Sequence, residues 1–117
     1  FTARGWVAIS INYRLRDDLG TVPQAWVEYG ETNLAAEQLT QFNAIYPAHR
    51  AAKAAVRWLY ANASTYNINT DYITVGGGSA GAIISTTIGI NDPEDFTNEL
   101  SATEDPTLAP THPIPRS

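Results

Sequence analysis

A short apolar run meets a glycine-rich turn at Tyr72-Ile73-Thr74-Val75-Gly76-Gly77-Gly78-Ser79-Ala80-Gly81. Residues 72–75 are aromatic and β-branched, a composition typical of a strand buried within a sheet. The glycines that follow allow the backbone to turn sharply. Residues 82–90 are small and aliphatic and predict a helix. The sequence therefore predicts a strand, a tight turn and a helix in direct succession.

The turn fits a motif for nucleophilic catalysis. Residues 77–81 follow G-x-S-x-G, in which a strained strand-to-helix turn exposes the hydroxyl of the serine. The small residues Gly77 and Gly81 would let the strand and the helix approach closely. The exposed serine would be Ser79, and the N–H of Ala80 at the start of the helix would donate to a developing oxyanion.

The same turn also fits a dinucleotide-binding motif. Gly76, Gly78 and Gly81 follow G-x-G-x-x-G, whose glycines bring the backbone close to a pyrophosphate. That motif expects an apolar strand ending in an acidic residue about 20 residues later. Residues 91–96 contain acidic side chains, but no apolar strand precedes them. The nucleophile interpretation is therefore favoured, and a purely structural glycine-rich turn is the third hypothesis.

The segments before the turn predict an α/β fold. Residues 5–13 are aromatic and β-branched, which predicts a strand buried on both faces, as in a parallel sheet. Residues 14–30 predict a loop, residues 34–45 predict a short helix, and Pro47 is predicted to start a second helix. The order of elements is that of a doubly wound, mostly parallel α/β sheet. Residues 1–90 would hold an incomplete central piece of that sheet.

The two faces of the second predicted helix differ. Small apolar residues recur at helical spacing and are predicted to lie on the sheet; they are Ala52, Ala55, Val56, Leu59 and Ala63. The opposite face carries basic residues that are predicted to point toward water, namely His49, Arg50, Lys53 and Arg57.

The composition excludes several kinds of partner and site. The net charge is −5 with seven Lys and Arg, so neither nucleic acid nor an anionic membrane surface is predicted as a partner. The absence of cysteine excludes disulfides and thiolate metal sites. No apolar run approaches the roughly 20 residues that span a bilayer. The sequon Asn62-Ala63-Ser64 slightly favours a secreted protein, and the absence of methionine predicts that the chain is a fragment.

Residues 91–117 predict an acidic, proline-rich loop or a truncated tail. Four prolines interrupt regular structure there: Pro106, Pro110, Pro113 and Pro115. The acidic residues lack the spacing of a calcium loop, so no metal site is predicted. A serine, an acid and a histidine occur in the chain order of a catalytic triad at Ser79, Asp95 or Asp105, and His112. They are not predicted to meet, because the tail has no strands to position them, and His112 is predicted to be an exposed loop residue.

Four segments resemble the α/β-hydrolase superfamily, of the carboxylesterase and lipase type. Residues 4–15 resemble the family's strand ending in Asn-Tyr-Arg, and residues 52–59 resemble its helix before the nucleophile turn. Residues 66–75 resemble the approach to the nucleophile, and residues 77–82 resemble the turn itself. The four segments follow the family's order and spacing, which is more specific than G-x-S-x-G alone.

The resemblance implies a serine hydrolase that acts on carboxylic esters by acyl transfer. Ser79 carries over as the catalytic nucleophile and Ala80 as an oxyanion-hole donor through its N–H. Gly77, Gly78 and Gly81 carry over as structural residues of the nucleophile turn. The resemblance implies no metal and no organic cofactor, and the substrate would be a small-molecule or lipid ester.

Three parts of the family's machinery are expected outside this chain. The second oxyanion loop precedes the Asn-Tyr-Arg strand in the family, and the triad acid and histidine follow later strands, beyond Ser117. The chain alone is therefore expected to be inactive or nearly so. Ala51 stands near a position where relatives often carry Asp, a change expected to affect a local contact and not the chemistry. The alternatives are a non-catalytic binding module on the same scaffold and a dinucleotide-binding oxidoreductase.

Overall fold

The computed structural model describes residues 2–18, 20–92 and 95. These residues form α-helices joined by short irregular segments. The α-helices are α1 (Gln24–Asn33), α2 (Ala36–Ala61), α3 (Ala63–Tyr66) and α4 (Ala80–Ile90). Single 3-10 turns lie at Thr2–Arg4, Arg16–Asp18 and Thr70–Tyr72. None of the helices in the described ranges is both long and apolar enough to cross a membrane.

The described ranges contain no β-strand, so the prediction of a central piece of a doubly wound parallel sheet is wrong. A strand exists only as a member of a hydrogen-bonded ladder. Residues 5–13 and residues 72–75, the two predicted strands, share no backbone hydrogen bond. Their apolar side chains are consequently exposed, among them Trp6, Ile9 and Val75. The local pattern was typical of strands, but the pairing that would make a sheet is absent from the described residues.

The segment predicted as a loop contains a helix. Helix α1 begins at Gln24, directly after Pro23, and ends at Asn33. It packs against α2 through aromatic rings: Trp26 stacks on Phe42 with ring centroids 4.5 Å apart. Gly30 makes this approach possible, because a Cβ there would lie 2.8 Å from Cδ1 of Phe42.

Helix α2 continues through Pro47, where a break between two helices was predicted. A proline inside a helix removes one backbone hydrogen bond and usually bends or ends the helix. Packing against the rest of the chain holds this part of α2 in place. Pro47 is fully buried, and the chain passes directly over its ring, because Cβ of Pro47 leaves no room for a side chain on Gly20. One turn earlier, Nε1 of Trp26 donates to the carbonyl of Phe42 at 3.4 Å.

The core lies where α4 crosses α2. Ala48, Ala52 and Ile84 are buried together, and Tyr13 and Ile88 pack against them. The small alanines allow the two helix backbones to approach closely. Because α4 is fixed along its length by this packing, its first turn is held at a defined place beside Tyr13.

Helix α2 buries four basic residues among those described. They are His49, Arg50, Lys53 and Arg57, with exposed fractions of 0, 2, 3 and 6%. The prediction that these side chains face water is wrong. His49 is covered at the C-terminal end of α4, where it contacts Thr87 and Asn91. Nζ of Lys53 donates to the carbonyl of Asp92 at 2.8 Å and also to the carbonyl of Asp95. These carbonyls follow the C-terminus of α4, where the helix dipole favours a cation.

Candidate active site

Ser79 has a backbone conformation that is rare for a residue with a side chain. Its φ is 52° and its ψ is −120°, and it stands at the N-cap position of α4. Asn67 is the other non-glycine residue with positive φ in the described ranges. The hydroxyl of Ser79 makes no capping hydrogen bond, and the residue is exposed. A strained conformation of this kind persists where the surrounding structure imposes it, and such residues cluster at functional sites.

The constraint on Ser79 comes from the glycines on either side. A Cβ on Gly77 would lie 2.6 Å from the carbonyl carbon of Gly81 and 2.7 Å from its oxygen, so only glycine fits at position 77. Cβ atoms built on Gly76 and Gly78 would meet nothing within 4 Å. The close approach therefore involves the two glycines of G-x-S-x-G. Gly78, predicted as a structural residue of the turn, shows no such packing requirement.

The first turn of α4 presents a free backbone donor beside Ser79. The N–H groups of Gly81, Ala82 and Ile83 donate to carbonyls of the preceding turn. The N–H of Ala80 has no acceptor among the described residues. The first N–H groups of a helix carry partial positive charge and bind anions readily. Ser79 and the Ala80 N–H thus lie side by side at the start of α4.

His49 lies at the opposite end of α4 from Ser79. Its Nδ1 is 3.1 Å from Oγ1 of Thr87, and its Nε2 is 3.3 Å from Nδ2 of Asn91. Thr87 is eight residues after Ser79, or about 12 Å along the helix at 1.5 Å per residue. His49 therefore cannot take a proton from Ser79.

The surroundings of His49 keep its imidazole neutral. Its two neighbours are themselves held at the end of α4, since Oγ1 of Thr87 lies 2.8 Å from the carbonyl oxygen of Ile83 and 3.0 Å from that of Ile84. Burial, and secondly the positive charge of Lys53, lower the pKa of His49 from 6.5 to about 4. The imidazole is neutral at pH 7 and serves a structural role.

The acid and the histidine that follow Ser79 in triad order do not meet it in the described part of the chain. Asp95 lies at the far end of α4, where its carbonyl accepts from Lys53. His112 and Asp105 fall outside the described residues. Within the ranges that are described, no three His, Cys, Asp or Glu side chains are grouped as metal ligands.

A cavity that sequence reasoning missed opens next to the first turn of α4. We name it the α2–α4 cavity; its volume is about 600 Å³. It is lined by the segment 13–17, by the first half of α2, and by Ala80, Ile83 and Ile84 of α4. Tyr13, Arg14 and Ala80 fall in segments that the sequence analysis singled out, but no motif connects them with the other lining residues. This grouping could not be predicted from spacing, because the cavity arises from the packing of three segments distant in sequence.

In a comparison with known protein families, the family model BD-FAE matches residues 32–111, a range that includes Ser79 and the glycine-rich turn. BD-FAE is an α/β-hydrolase-like esterase family. No match was found among curated proteins or among solved structures.

Proposed function

The chain belongs to the BD-FAE family, and we propose that it is a serine hydrolase that cleaves carboxylic esters with Ser79 as the nucleophile. The single observation that carries this proposal is the backbone of Ser79, held at positive φ by the contact between Gly77 and Gly81. A catalytic turn requires that conformation, because it lifts the hydroxyl away from the chain and toward a substrate. A structural turn would place glycine at such a position, since glycine adopts positive φ without strain.

The proposed reaction proceeds by acyl transfer. Oγ of Ser79 attacks the ester carbonyl carbon while a general base takes the hydroxyl proton, and the C–O bond to the alcohol then breaks as that proton passes to the leaving alcohol. Water then attacks the carbonyl carbon of the acyl-serine while the base takes a proton from it. The bond from that carbon to Oγ of Ser79 breaks as the proton passes to Oγ, which releases the acid. The negative oxygen of each tetrahedral intermediate would accept from the N–H of Ala80. One such donor contributes about 3–4 kcal/mol in serine hydrolases.

The base must come from outside the described residues. His49, the histidine that these residues contain, is neutral but held by Thr87 and Asn91. We therefore place the base, and the acid that orients it, in a part of the protein beyond residues 2–92. The substrate is proposed to be a small-molecule or lipid ester.

The experiment that tests the proposal is covalent labelling of the whole protein with a fluorophosphonate. Labelling forms a bond from Oγ of Ser79 to phosphorus, breaks the P–F bond and releases fluoride, with the hydroxyl proton going to the base. We expect labelling of the wild type and none of Ser79→Ala. Ser85→Ala is the matched control, because Ser85 lies on α4 with its hydroxyl bound to the carbonyl of Ala82 at 3.1 Å.

The outcomes separate the enzyme from its alternatives. Labelling that disappears in Ser79→Ala and persists in Ser85→Ala supports an activated serine at position 79. A folded wild-type protein that resists labelling would overturn the proposal and favour the non-catalytic binding module. Saturable NAD binding that is lost on substitution of Gly78 would favour the dinucleotide-binding oxidoreductase.

A further inference from the structure

We infer that the α2–α4 cavity binds the arm of the ester that extends from its carbonyl, and that this arm is a long, apolar and uncharged group. The inference rests on the proposed function, since it assigns the cavity to the same reaction.

Ala80 links the cavity to the proposed nucleophile. This residue lines the cavity, and its N–H is the donor proposed for the ester oxygen. An ester carbonyl that accepts from that N–H would lie beside Ser79 and at the edge of the cavity. From that edge, one of the two groups attached to the carbonyl carbon can enter the cavity.

The floor of the cavity is apolar. Ala48 and Ile84 form its buried part, with exposed fractions of 5% and 6%. Ala44, Ile45 and Ile83 complete the walls between the two helices. Such a surface gains free energy when it covers the apolar surface of a ligand and gains none from a charged group.

The rim carries charges that cancel. Arg14, Arg16, Asp17 and Glu37 line the cavity, two of each sign. Arg16 and Asp17 pair with each other, with Nε 3.1 Å from Oδ1. A rim without net charge does not select an anionic or cationic ligand. The hydroxyl of Thr40 and the amide of Gln41, which also line the cavity, offer hydrogen bonds to a neutral polar end group.

The size of the cavity favours a long arm. About 600 Å³ lies within the range of roughly 300–1,000 Å³ that is common for sites of drug-sized ligands. An acetyl group would leave most of this space empty. The cavity therefore fits an ester whose arm is an extended hydrocarbon or ring system with a neutral polar end.

The experiment compares two alkyl fluorophosphonates, one with an ethyl arm and one with an octyl arm, on the whole protein. Ile83→Trp narrows the mouth of the cavity, because Ile83 lies in its wall and is half exposed. Ile83→Ala widens it. Ile90→Trp adds the same bulk at the exposed C-terminal end of α4 and is the matched control.

We expect Ile83→Trp to lower the octyl-to-ethyl ratio of labelling rates about tenfold or more, since each methylene excluded from an apolar site loses about 0.8 kcal/mol. Ile83→Ala should leave the ratio equal or raise it, and Ile90→Trp should not change it. A ratio that is the same in all four proteins would overturn the inference and leave the proposed function intact. Absence of labelling by both probes would overturn the proposed function and the inference with it.

Discussion

Gly77 lies directly against the backbone of Gly81, at a distance that leaves no room for a side chain. A Cβ on Gly77 would come 2.6 Å from the carbonyl carbon of Gly81. That carbonyl belongs to the first turn of α4, so it cannot move aside as the tip of a flexible side chain could. The contact fixes the angle between the incoming chain and α4, and the residue at the corner, Ser79, takes up a φ of 52° as a result.

Substitution of Gly77 by alanine is predicted to disrupt this corner. The added methyl group must displace backbone, which we expect to cost about 1–3 kcal/mol of unfolding free energy and to abolish labelling at Ser79. Gly76→Ala is the control, because a Cβ there meets nothing within 4 Å. Urea denaturation followed by circular dichroism measures the free energy. Equal stability of the two variants would contradict the proposed role of the contact.

The strain at Ser79 can be measured with two substitutions. Ser79→Ala keeps a Cβ at positive φ, whereas Ser79→Gly removes it. We expect Ser79→Gly to be the more stable variant by about 1 kcal/mol or more, because glycine adopts this conformation without a steric cost. Both variants lose the hydroxyl, so neither should be labelled by a fluorophosphonate. If thermal unfolding gives the two variants the same stability, the backbone of Ser79 is not strained.

The sequence predicted local elements well and long-range arrangement poorly. The helix after the turn was predicted over residues 82–90 and is observed at Ala80–Ile90, because its pattern is a property of neighbouring residues. Helix α1, predicted as part of a loop, was signalled by Pro23 just before its start. The sheet failed as a prediction because a strand depends on a partner distant in sequence.

The candidate site shows the same division. The positions of Ser79 and Ala80 at the start of a helix followed from a short motif. A close approach of the chain at Gly77 to the helix at Gly81 was predicted, because the motif places small residues at both positions. The burial of Lys53 was missed, because periodicity defines the faces of a helix but not which face a neighbouring helix will cover.

Two helical glycines provide a matched test of how α1 packs on α2. Gly30→Ala places a methyl group 2.8 Å from Cδ1 of Phe42, whose ring is stacked on Trp26 and cannot withdraw freely. We expect a net loss of about 1–2 kcal/mol from overpacking. Gly89→Ala in α4 meets nothing within 4 Å and should gain up to about 1 kcal/mol from helix propensity. Chemical denaturation of both variants checks the prediction, and a stabilised Gly30→Ala would contradict the tight packing.

The buried imidazole of His49 is predicted to make stability depend on pH. Its pKa is lowered from 6.5 to about 4 in the folded protein, by burial and by Lys53. Below pH 6.5 the unfolded chain therefore binds a proton that the folded protein does not. The free energy of unfolding should fall as the pH drops from about 6.5 to about 4, by up to about 3 kcal/mol in total.

The carboxylates also titrate near the lower end of that range, so the contribution of His49 is obtained as a difference. Unfolding free energies are measured by urea denaturation between pH 7 and pH 4 for the wild type and for His49→Gln. Glutamine can still offer a hydrogen bond to Thr87 or Asn91, but it has no proton to bind in this range. The variant should lose stability at pH 7 and show a shallower decline toward pH 4. His112→Gln, which removes the other histidine of the chain, should retain the steeper decline of the wild type. Parallel curves for the wild type and His49→Gln would show that the folded and unfolded states bind protons at His49 equally, which is incompatible with a pKa lowered by burial.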